Sequence, residues 1–301
     1  MTDMKRILAL LFAPFVLASV SAASVVNVVA SSSDLKAIAD YIGGNHVSVK
    51  SIVSGKDNPH FVEVLPNYMI MVSKAKIYFK LGLGLDFWAQ PIIDGSRNDR
   101  LAVVDCSEGV DVLGKPVGPV NASMGDVHPE GNPHYQLDPA NGLVIARNIE
   151  KGLAQVDPAN AGSYEAALKR FETDLASKME TWKKDAGPLR GVEIITYHDS
   201  WPYLSRAFGI RVAGFIEPKP GIEPTAGHTA ELIALVKARG IKIIGKEPYY
   251  SDRAPGALAA ATGAKVVDLP PSVGGAKGAD DYFSLFDVLI SRLISALRDE
   301  R

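Results

Sequence analysis

Short apolar runs rich in β-branched residues alternate with helical patterns along nearly the whole chain. The run at 25–30 is followed by Ser-Ser-Ser-Asp at 31–34, a sequence typical of a buried parallel strand that leads into a helix N-cap. The helical pattern over 35–42 then ends at Gly43-Gly44. The same order recurs downstream, and this alternation predicts a parallel sheet with helices on both faces.

Two such sets of elements are predicted, one on each side of a long helix. The first set has further strands at 47–53, 77–81 and 101–105, and helices at 66–73 and 138–156. The second set has strands at 192–197, 212–215, 241–244 and 265–269, and helices at 201–208, 225–239, 254–262 and 282–298. Between them, the apolar residues of 161–184 recur at steps of three and four, which predicts one helix of roughly 35 Å.

The predicted fold class is therefore α/β. It has two lobes, each with a mostly parallel sheet flanked by helices, joined by one long connecting helix. We divide the chain into an N-terminal lobe at 24–158, the connecting helix at 159–187 and a C-terminal lobe at 188–301. Residues 107–133 carry no clear periodicity and form a long loop, a feature that is often functional.

The N-terminal segment 1–23 is expected to be a signal peptide. Lys5 and Arg6 precede an apolar stretch that is short for a membrane span, and small residues follow it. We expect cleavage near Ala22 or Ala23 and export to the periplasm. A net charge of -2 gives no electrostatic argument for nucleic acid. The single cysteine, Cys106, excludes an intramolecular disulfide.

Three of the six histidines lie in short segments of similar character: Asn58-Pro59-His60, Asn132-Pro133-His134 and Tyr197-His198-Asp199. Each histidine follows a predicted strand or the loop after one, and Glu247 follows the strand at 241–244. Ligands of parallel sheets bind at the carboxyl ends of the strands. Because imidazole is the commonest protein ligand for metals, these residues predict a metal site in the cleft between the lobes.

At these segments the chain resembles the metal-specific, zinc or manganese, periplasmic solute-binding proteins of ABC importers, of the cluster A-I type. Residues that carry the resemblance are the three histidine segments with Glu63, Pro66, Gly131, Asp138-Pro139, Tyr203 and Gly209. The resemblance covers nearly the whole chain after the signal peptide. It implies a metal buried between two lobes and delivery of that metal to an ABC permease in the inner membrane. We expect a monomer that is not an enzyme.

Zn²⁺ is the expected ligand, because three imidazoles suit zinc better than manganese, which prefers oxygen. In the family that this chain resembles, the members that carry Mn²⁺ usually have a glutamate where this chain has His198. The family's fourth ligand is usually an aspartate in a late loop, which is missing from 269–275 here. Glu247 is our first choice for the fourth ligand, and Asp268, Asp280 and water are the alternatives.

Three carboxylates near the histidines are predicted to accept the second ring N–H of a ligand histidine: Glu63, Asp138 and Asp199. Asp138 also precedes Pro139 and is favoured as a helix N-cap. Many zinc members of the resembling family carry a histidine-rich loop before the second ligand, but this chain has only His128 there, which we expect to be solvated. His46 and His228 are expected at the surface.

Four functions are consistent with these features. The leading one is a periplasmic receptor that captures Zn²⁺ with high affinity and passes it to an ABC importer. A manganese receptor of the same type and a zinc metallochaperone would use the same scaffold. A zinc hydrolase is the least favoured, because the chain has no His-Glu-x-x-His motif and no clear general base besides Glu247.

Overall fold

A computed structural model describes residues 25–298 of the 301-residue chain. The predicted signal peptide at 1–23 lies outside the described residues. Within the described part, no helix combines the length and the apolar character that a membrane span requires.

The N-terminal sheet has four parallel strands in the order β2-β1-β3-β4. Their bounds are β1 Val26–Ala30, β2 Val47–Ser51, β3 Ile77–Lys80 and β4 Ala102–Asp105. Val28 at the centre of β1 pairs with Val49 on one side and Ile77 on the other, and all three side chains are buried. Because the strands are parallel, their carboxyl ends lie at one edge of the sheet.

The C-terminal sheet repeats this arrangement in the order β6-β5-β7-β8, again all parallel. Its strands are β5 Glu193–Thr196, β6 Arg211–Phe215, β7 Ile243–Lys246 and β8 Lys265–Asp268. The prediction of two parallel sheets flanked by helices is confirmed, and every predicted element lies within two residues of the observed bounds.

Nine α-helices occur in the described chain: α1 Ser33–Gly43, α2 Pro66–Ser73, α3 Ala89–Ser96, α4 Pro139–Val156, α5 Ala161–Asp185, α6 Pro202–Phe208, α7 Ala226–Arg239, α8 Arg253–Thr262 and α9 Tyr282–Leu297. Helix α3 was not predicted, because Pro91 and Gly95 disfavour a helix in isolation. Tertiary packing overrides this local preference: the backbone of Gly95 lies so close to the side chain of Met69 in α2 that a Cβ there would meet its sulfur at 2.6 Å.

Helix α5 is the predicted connecting helix, 25 residues long. Its buried face includes Tyr164, Phe171 and Trp182, three of the residues that define the predicted apolar stripe. One continuous apolar core contains Phe171 together with Val26 of the first sheet and Ile243 of the second. The two lobes therefore share a core through the connecting helix, while the exact domain boundaries stay a prediction.

Candidate metal site

His60, His134 and His198 lie together between the two sheets, and all three are buried, with 2%, 1% and 5% of their surface exposed. One ring nitrogen of each lies within 4.8 Å of the corresponding nitrogens of the other two. His60 and His134 belong to the N-terminal lobe, whereas His198 follows β5 of the C-terminal lobe. The structure therefore brings together the three histidines that the sequence singles out.

The two Asn-Pro-His segments fold in the same way. The side-chain oxygen of Asn58 accepts a hydrogen bond from the His60 backbone N–H at 3.0 Å, and Asn132 does the same for His134 at 3.1 Å. An asparagine that caps the backbone two residues ahead forms a tight turn, and this turn orients the histidine that follows. Gly131 (φ +118°) precedes the second segment, and a Cβ there would come within 2.4 Å of a Val112 methyl carbon.

Hydrogen bonds across the cleft fix the second segment against the C-terminal lobe. The Asn132 side-chain nitrogen donates to the Asp199 carbonyl at 2.7 Å, and the Tyr203 hydroxyl donates to the Asn132 carbonyl at 2.9 Å. These bonds connect the residues beside His134 to the residues beside His198. The positions of two histidines from different lobes are thus coupled.

The distance between two of the ring nitrogens suits a tetrahedral zinc ion. Nε2 of His60 lies 3.3 Å from Nε2 of His134. Two nitrogens that bind zinc at about 2.0–2.1 Å and at the tetrahedral angle lie about 3.3–3.4 Å apart. Nδ1 of His198 contacts the Glu217 carboxylate, which leaves Nε2 as the nitrogen available to a metal.

Two carboxylates contact the outer sides of the imidazoles. Oε2 of Glu217 lies 2.7 Å from Nδ1 of His198, and both side chains are buried. Oδ2 of Asp126 lies 2.8 Å from Nδ1 of His60, and a third of the Asp126 side chain is exposed. A carboxylate in this position holds the imidazole in the tautomer that presents its other nitrogen to a metal.

Neither of these carboxylates was predicted from the sequence as a partner of a histidine. Glu217 follows β6 at the same sheet edge as Glu247, so the rule on strand ends could have found it. Asp126 lies in the long loop at 107–133, which the sequence marked only as functional. Backbone N–H donation from Gly221 to Oε2 of Glu217, at 3.1 Å, adds a second contact that positions this carboxylate.

Burial and charge act on the three histidines in different directions. Burial lowers the pKa of His60, an effect that the Asp126 carboxylate opposes, and burial places the pKa of His134 well below its usual value. Burial also acts to lower the pKa of His198, but Glu217 and Glu247 overcome this effect and raise it above 6.5. His60 and His134 are therefore held neutral, the form that binds metals, whereas His198 is the first of the three to gain a proton as the pH falls.

Glu247, the first choice for the fourth ligand, does not join the three converging nitrogens. Its side chain is fully buried, and Oε1 accepts hydrogen bonds from the Ser200 hydroxyl at 2.6 Å and the Trp201 indole N–H at 3.0 Å. Burial raises the pKa of this carboxyl to about 7. Oε1 of Glu247 thus anchors the segment after His198. Its Oε2 is buried without a hydrogen-bond partner among the described residues, and Glu247 as the fourth ligand stays a prediction.

The other predicted carboxylates lie elsewhere. Glu63 is exposed, which does not support its predicted role as a histidine partner. Asp138 is the N-cap of α4 and also pairs with Arg206 at 2.9 Å, so its predicted cap role is confirmed. Asp199 is half-buried beside His198, and its carboxylate interacts with Asn132. Asp268 pairs with Lys246 at 2.7 Å, and Asp280 is exposed.

The prediction that His128 is solvated is wrong. This histidine is half-buried, its ring centroid lies 5.3 Å from that of His60, and burial lowers its pKa to about 4. His46 and His228, which were expected at the surface, are both half-buried. Of the residues described, neither of these two joins a group that could hold a metal.

Comparison with known proteins identifies relatives over most of the chain. Residues 28–296 match the family ZnuA, described as the periplasmic component A of a zinc-uptake complex. The high-affinity zinc uptake system protein ZnuA of Brucella abortus (strain 2308) is 28% identical over 166 residues, which cover 55% of this chain and 49% of that protein. The chain thus matches about half the length of this curated relative.

A manganese relative matches over a longer stretch. The manganese ABC transporter substrate-binding lipoprotein PsaA of Streptococcus mitis is 29% identical over 240 residues, covering 75% of this chain and 73% of that protein. A crystal structure of ZnuA superimposes with a TM-score of 0.77 at 27% identity, covering 89% of this chain and 98% of the other. The resemblance seen in the sequence is confirmed, and the matched proteins are substrate-binding transport proteins rather than enzymes.

Proposed function

This chain belongs to the zinc-uptake complex component A family, and from that premise we propose that it is a periplasmic receptor for Zn²⁺. In this proposal the two lobes hold one zinc ion between them, and the receptor delivers it to an ABC permease in the inner membrane. The protein acts as a monomer and performs no chemical step on its cargo.

The convergence of His60, His134 and His198 carries the proposal. Three buried imidazole nitrogens form a set of borderline ligands that suits Zn²⁺, while Mn²⁺ prefers oxygen ligands. The 3.3 Å separation of the His60 and His134 nitrogens fits the tetrahedral geometry that zinc adopts. Burial of all three side chains excludes bulk water from the ion and so favours tight binding.

We propose that water occupies the fourth coordination position. A cavity of about 60 Å³ lies against His134 and His198, and its lining is polar enough to hold a water molecule. Asp126 and Glu217 act indirectly, since each orients one ligand imidazole through its Nδ1. Glu247 supports the segment that carries His198 and is not bound to the ion.

Release of zinc is expected to need only a small motion of the lobes. The apolar core runs through the connecting helix from one sheet to the other, and a large rotation would have to disrupt it. Separating His198 from the two N-terminal histidines by a few ångströms would remove one ligand. Solution scattering curves of the metal-free and zinc-loaded protein should accordingly be nearly the same.

The alternative is a manganese receptor of the same type, favoured by the 75% coverage of the chain by the PsaA relative. Competitive titration of the metal-free protein with Zn²⁺ and Mn²⁺ separates the two. We expect one zinc per chain with about nanomolar affinity or tighter, and much weaker manganese binding. A preference for manganese would contradict the zinc assignment, and the absence of stoichiometric binding of either metal would contradict the receptor function.

The same titration tests the ligands. His198→Ala should weaken zinc binding on the order of 100-fold or more. It removes one of the three ligand nitrogens and leaves the buried Glu217 carboxylate without its partner. His46→Ala is the matched control, since His46 is also half-buried but lies outside the site. Equal affinities for the two variants would mean that the metal binds elsewhere.

A further inference from the structure

We propose that the late loop, residues 269–275, positions His60 from the other lobe through a contact with Gly55. The loop lies between β8 and α9, where the family that this chain resembles usually has its fourth ligand. In this chain it would shape the metal site by its position and would supply no ligand. This inference rests on the proposed function and adds positioning residues to the same site.

The late loop is docked on the N-terminal lobe. The Val273 backbone N–H donates to Oδ1 of Asp34 at 2.9 Å, and Asp34 is fully buried in the first turn of α1. Leu269 and Val273 belong to the apolar core that the two lobes share. A buried hydrogen bond and apolar packing together hold this loop of the C-terminal lobe in one position against α1.

Gly55 and Gly275 bring the backbones of the two lobes into direct contact. A Cβ at Gly55 would overlap the Val273 carbonyl oxygen and the Gly275 nitrogen, and a Cβ at Gly275 would lie 2.6 Å from the Gly55 carbonyl oxygen. Gly55 does not have a φ in the left-handed region, so its own backbone conformation would accept other residues. Glycine is needed at position 55 because the other lobe leaves no room for a side chain.

The segment from Gly55 to His60 transmits this contact to the metal site. The Ser54 hydroxyl donates to Oδ2 of Asp57 at 2.7 Å, and the Asp57 backbone N–H donates to the Ser54 carbonyl at 3.2 Å. The Asn58 side chain closes the next turn, where it accepts from the His60 N–H. Two consecutive turns that are closed by their own side chains leave little freedom between Gly55 and His60. A shift of Gly55 therefore moves the imidazole.

The other ligand of the N-terminal lobe is positioned in a comparable way. Asn132 and Tyr203 connect the segment of His134 to the C-terminal lobe. With the late loop against Gly55, both N-terminal histidines are held relative to the lobe that carries His198. A site assembled from two lobes needs such contacts, because its ligands must be held within about 0.5 Å of the binding geometry.

The competing explanation is that this contact only stabilises the fold. Gly55→Ala separates the two explanations, because the added methyl group pushes the late loop and the segment at 54–60 apart. We expect the variant to remain folded by circular dichroism and to bind Zn²⁺ about tenfold or more weakly than the wild type, measured by competition with a chromophoric chelator.

Co²⁺ in place of Zn²⁺ adds a spectroscopic readout that a purely stabilising contact would not change. The visible absorption of bound Co²⁺ depends on the geometry of its ligands. The spectrum of Gly55→Ala should therefore differ from that of the wild type in shape and intensity. A fall in zinc affinity with an unchanged cobalt spectrum would contradict the positioning role, since the ligands would then be held as before.

Two other alanine variants are matched controls. Gly162→Ala adds a methyl group to α5 at a position where no atom lies within 4 Å. Gly152→Ala adds one in the core of the N-terminal lobe, 2.9 Å from methyl carbons of Ile77 and Val104. Both variants should keep the zinc affinity and the cobalt spectrum of the wild type, whatever their effect on the free energy of unfolding.

Asp34→Ala disturbs the late loop without adding an atom, and it serves if Gly55→Ala folds poorly. It removes the acceptor of the Val273 N–H, so zinc affinity should fall and the cobalt spectrum should change in this variant as well. Wild-type affinity and a wild-type spectrum in the folded variant would contradict the positioning role and leave the proposed function intact. Failure of the wild-type protein to bind zinc would instead contradict the proposed function itself.

Discussion

The buried pair of His198 and Glu217 gives the sharpest test of how this cleft holds a metal ion. Glu217→Gln keeps the shape of the side chain and an oxygen that can accept from Nδ1 of His198, but it removes the negative charge 2.7 Å away. Loss of a carboxylate behind a ligand imidazole typically weakens metal binding about 10–100-fold, which corresponds to roughly 1.4–2.7 kcal/mol. We expect zinc affinity at pH 8 to fall within this range.

The effect should shrink as the pH falls. In the wild type the pKa of His198 is raised by Glu217 and Glu247, so at a pH below this raised pKa zinc must displace a proton, at a cost of up to about tenfold in affinity per pH unit. In Glu217→Gln the effect of burial on His198 dominates, and the pKa of His198 is lower than in the wild type. A proton therefore competes less with zinc for this imidazole at pH 6. The two affinities should therefore converge between pH 8 and pH 6.

Calorimetric titration of zinc at several pH values, in buffers of different ionisation enthalpy, measures both the affinity and the number of protons released. The wild type should release more protons at pH 6 than Glu217→Gln. Glu231→Gln is the matched control, because Glu231 is an exposed carboxylate 3.8 Å from His228, outside the site. A ratio of affinities that is constant or grows as the pH falls would refute the role assigned to Glu217.

Three further predictions concern other parts of the molecule. Glu247→Gln should change zinc affinity less than about tenfold in the same titration, whereas a loss as large as that of a histidine variant would make Glu247 a ligand. The Asp34 carboxyl accepts a hydrogen bond from the Val273 N–H, and burial raises its pKa from 3.8 to about 6. The contribution of the protonated carboxyl to the stability of the folded protein is therefore complete below pH 3.8 and is lost as the pH rises through 6. Asp34→Asn should remove a pH dependence of roughly 3 kcal/mol at most, measured by urea denaturation across this range, and an unchanged pH profile would contradict the assignment. Phe171→Ala should lower the free energy of unfolding by about 3–5 kcal/mol because it opens a cavity in the shared core, while exposed Phe61→Ala should cost under about 0.5 kcal/mol.

The sequence by itself determined the secondary structure and the three central histidines. Strands, helices and caps such as Asp138 depend on neighbours a few residues away, so apolar periodicity and capping residues predict them. Parallel strands place their carboxyl ends at one edge, and this rule was enough to predict that His60, His134 and His198 meet. Helix α3 was missed because its stability comes from packing against α2 rather than from its own residues.

Only the tertiary structure decided which carboxylates surround the histidines. The sequence suggested Glu63, Asp138 and Asp199 as partners of the imidazoles, yet these contacts come from Asp126 and Glu217. The strand-end rule gives the sheet edge at which Glu217 lies, but the contacts that Glu217 and Asp126 make with the imidazoles depend on how the two lobes meet, and no local pattern encodes that. A hydrogen bond to an imidazole requires placement within a few tenths of an ångström. The periodicity of a chain fixes the edge of the sheet at which a loop begins. The packing of the two lobes against each other fixes the positions of the side chains on that loop.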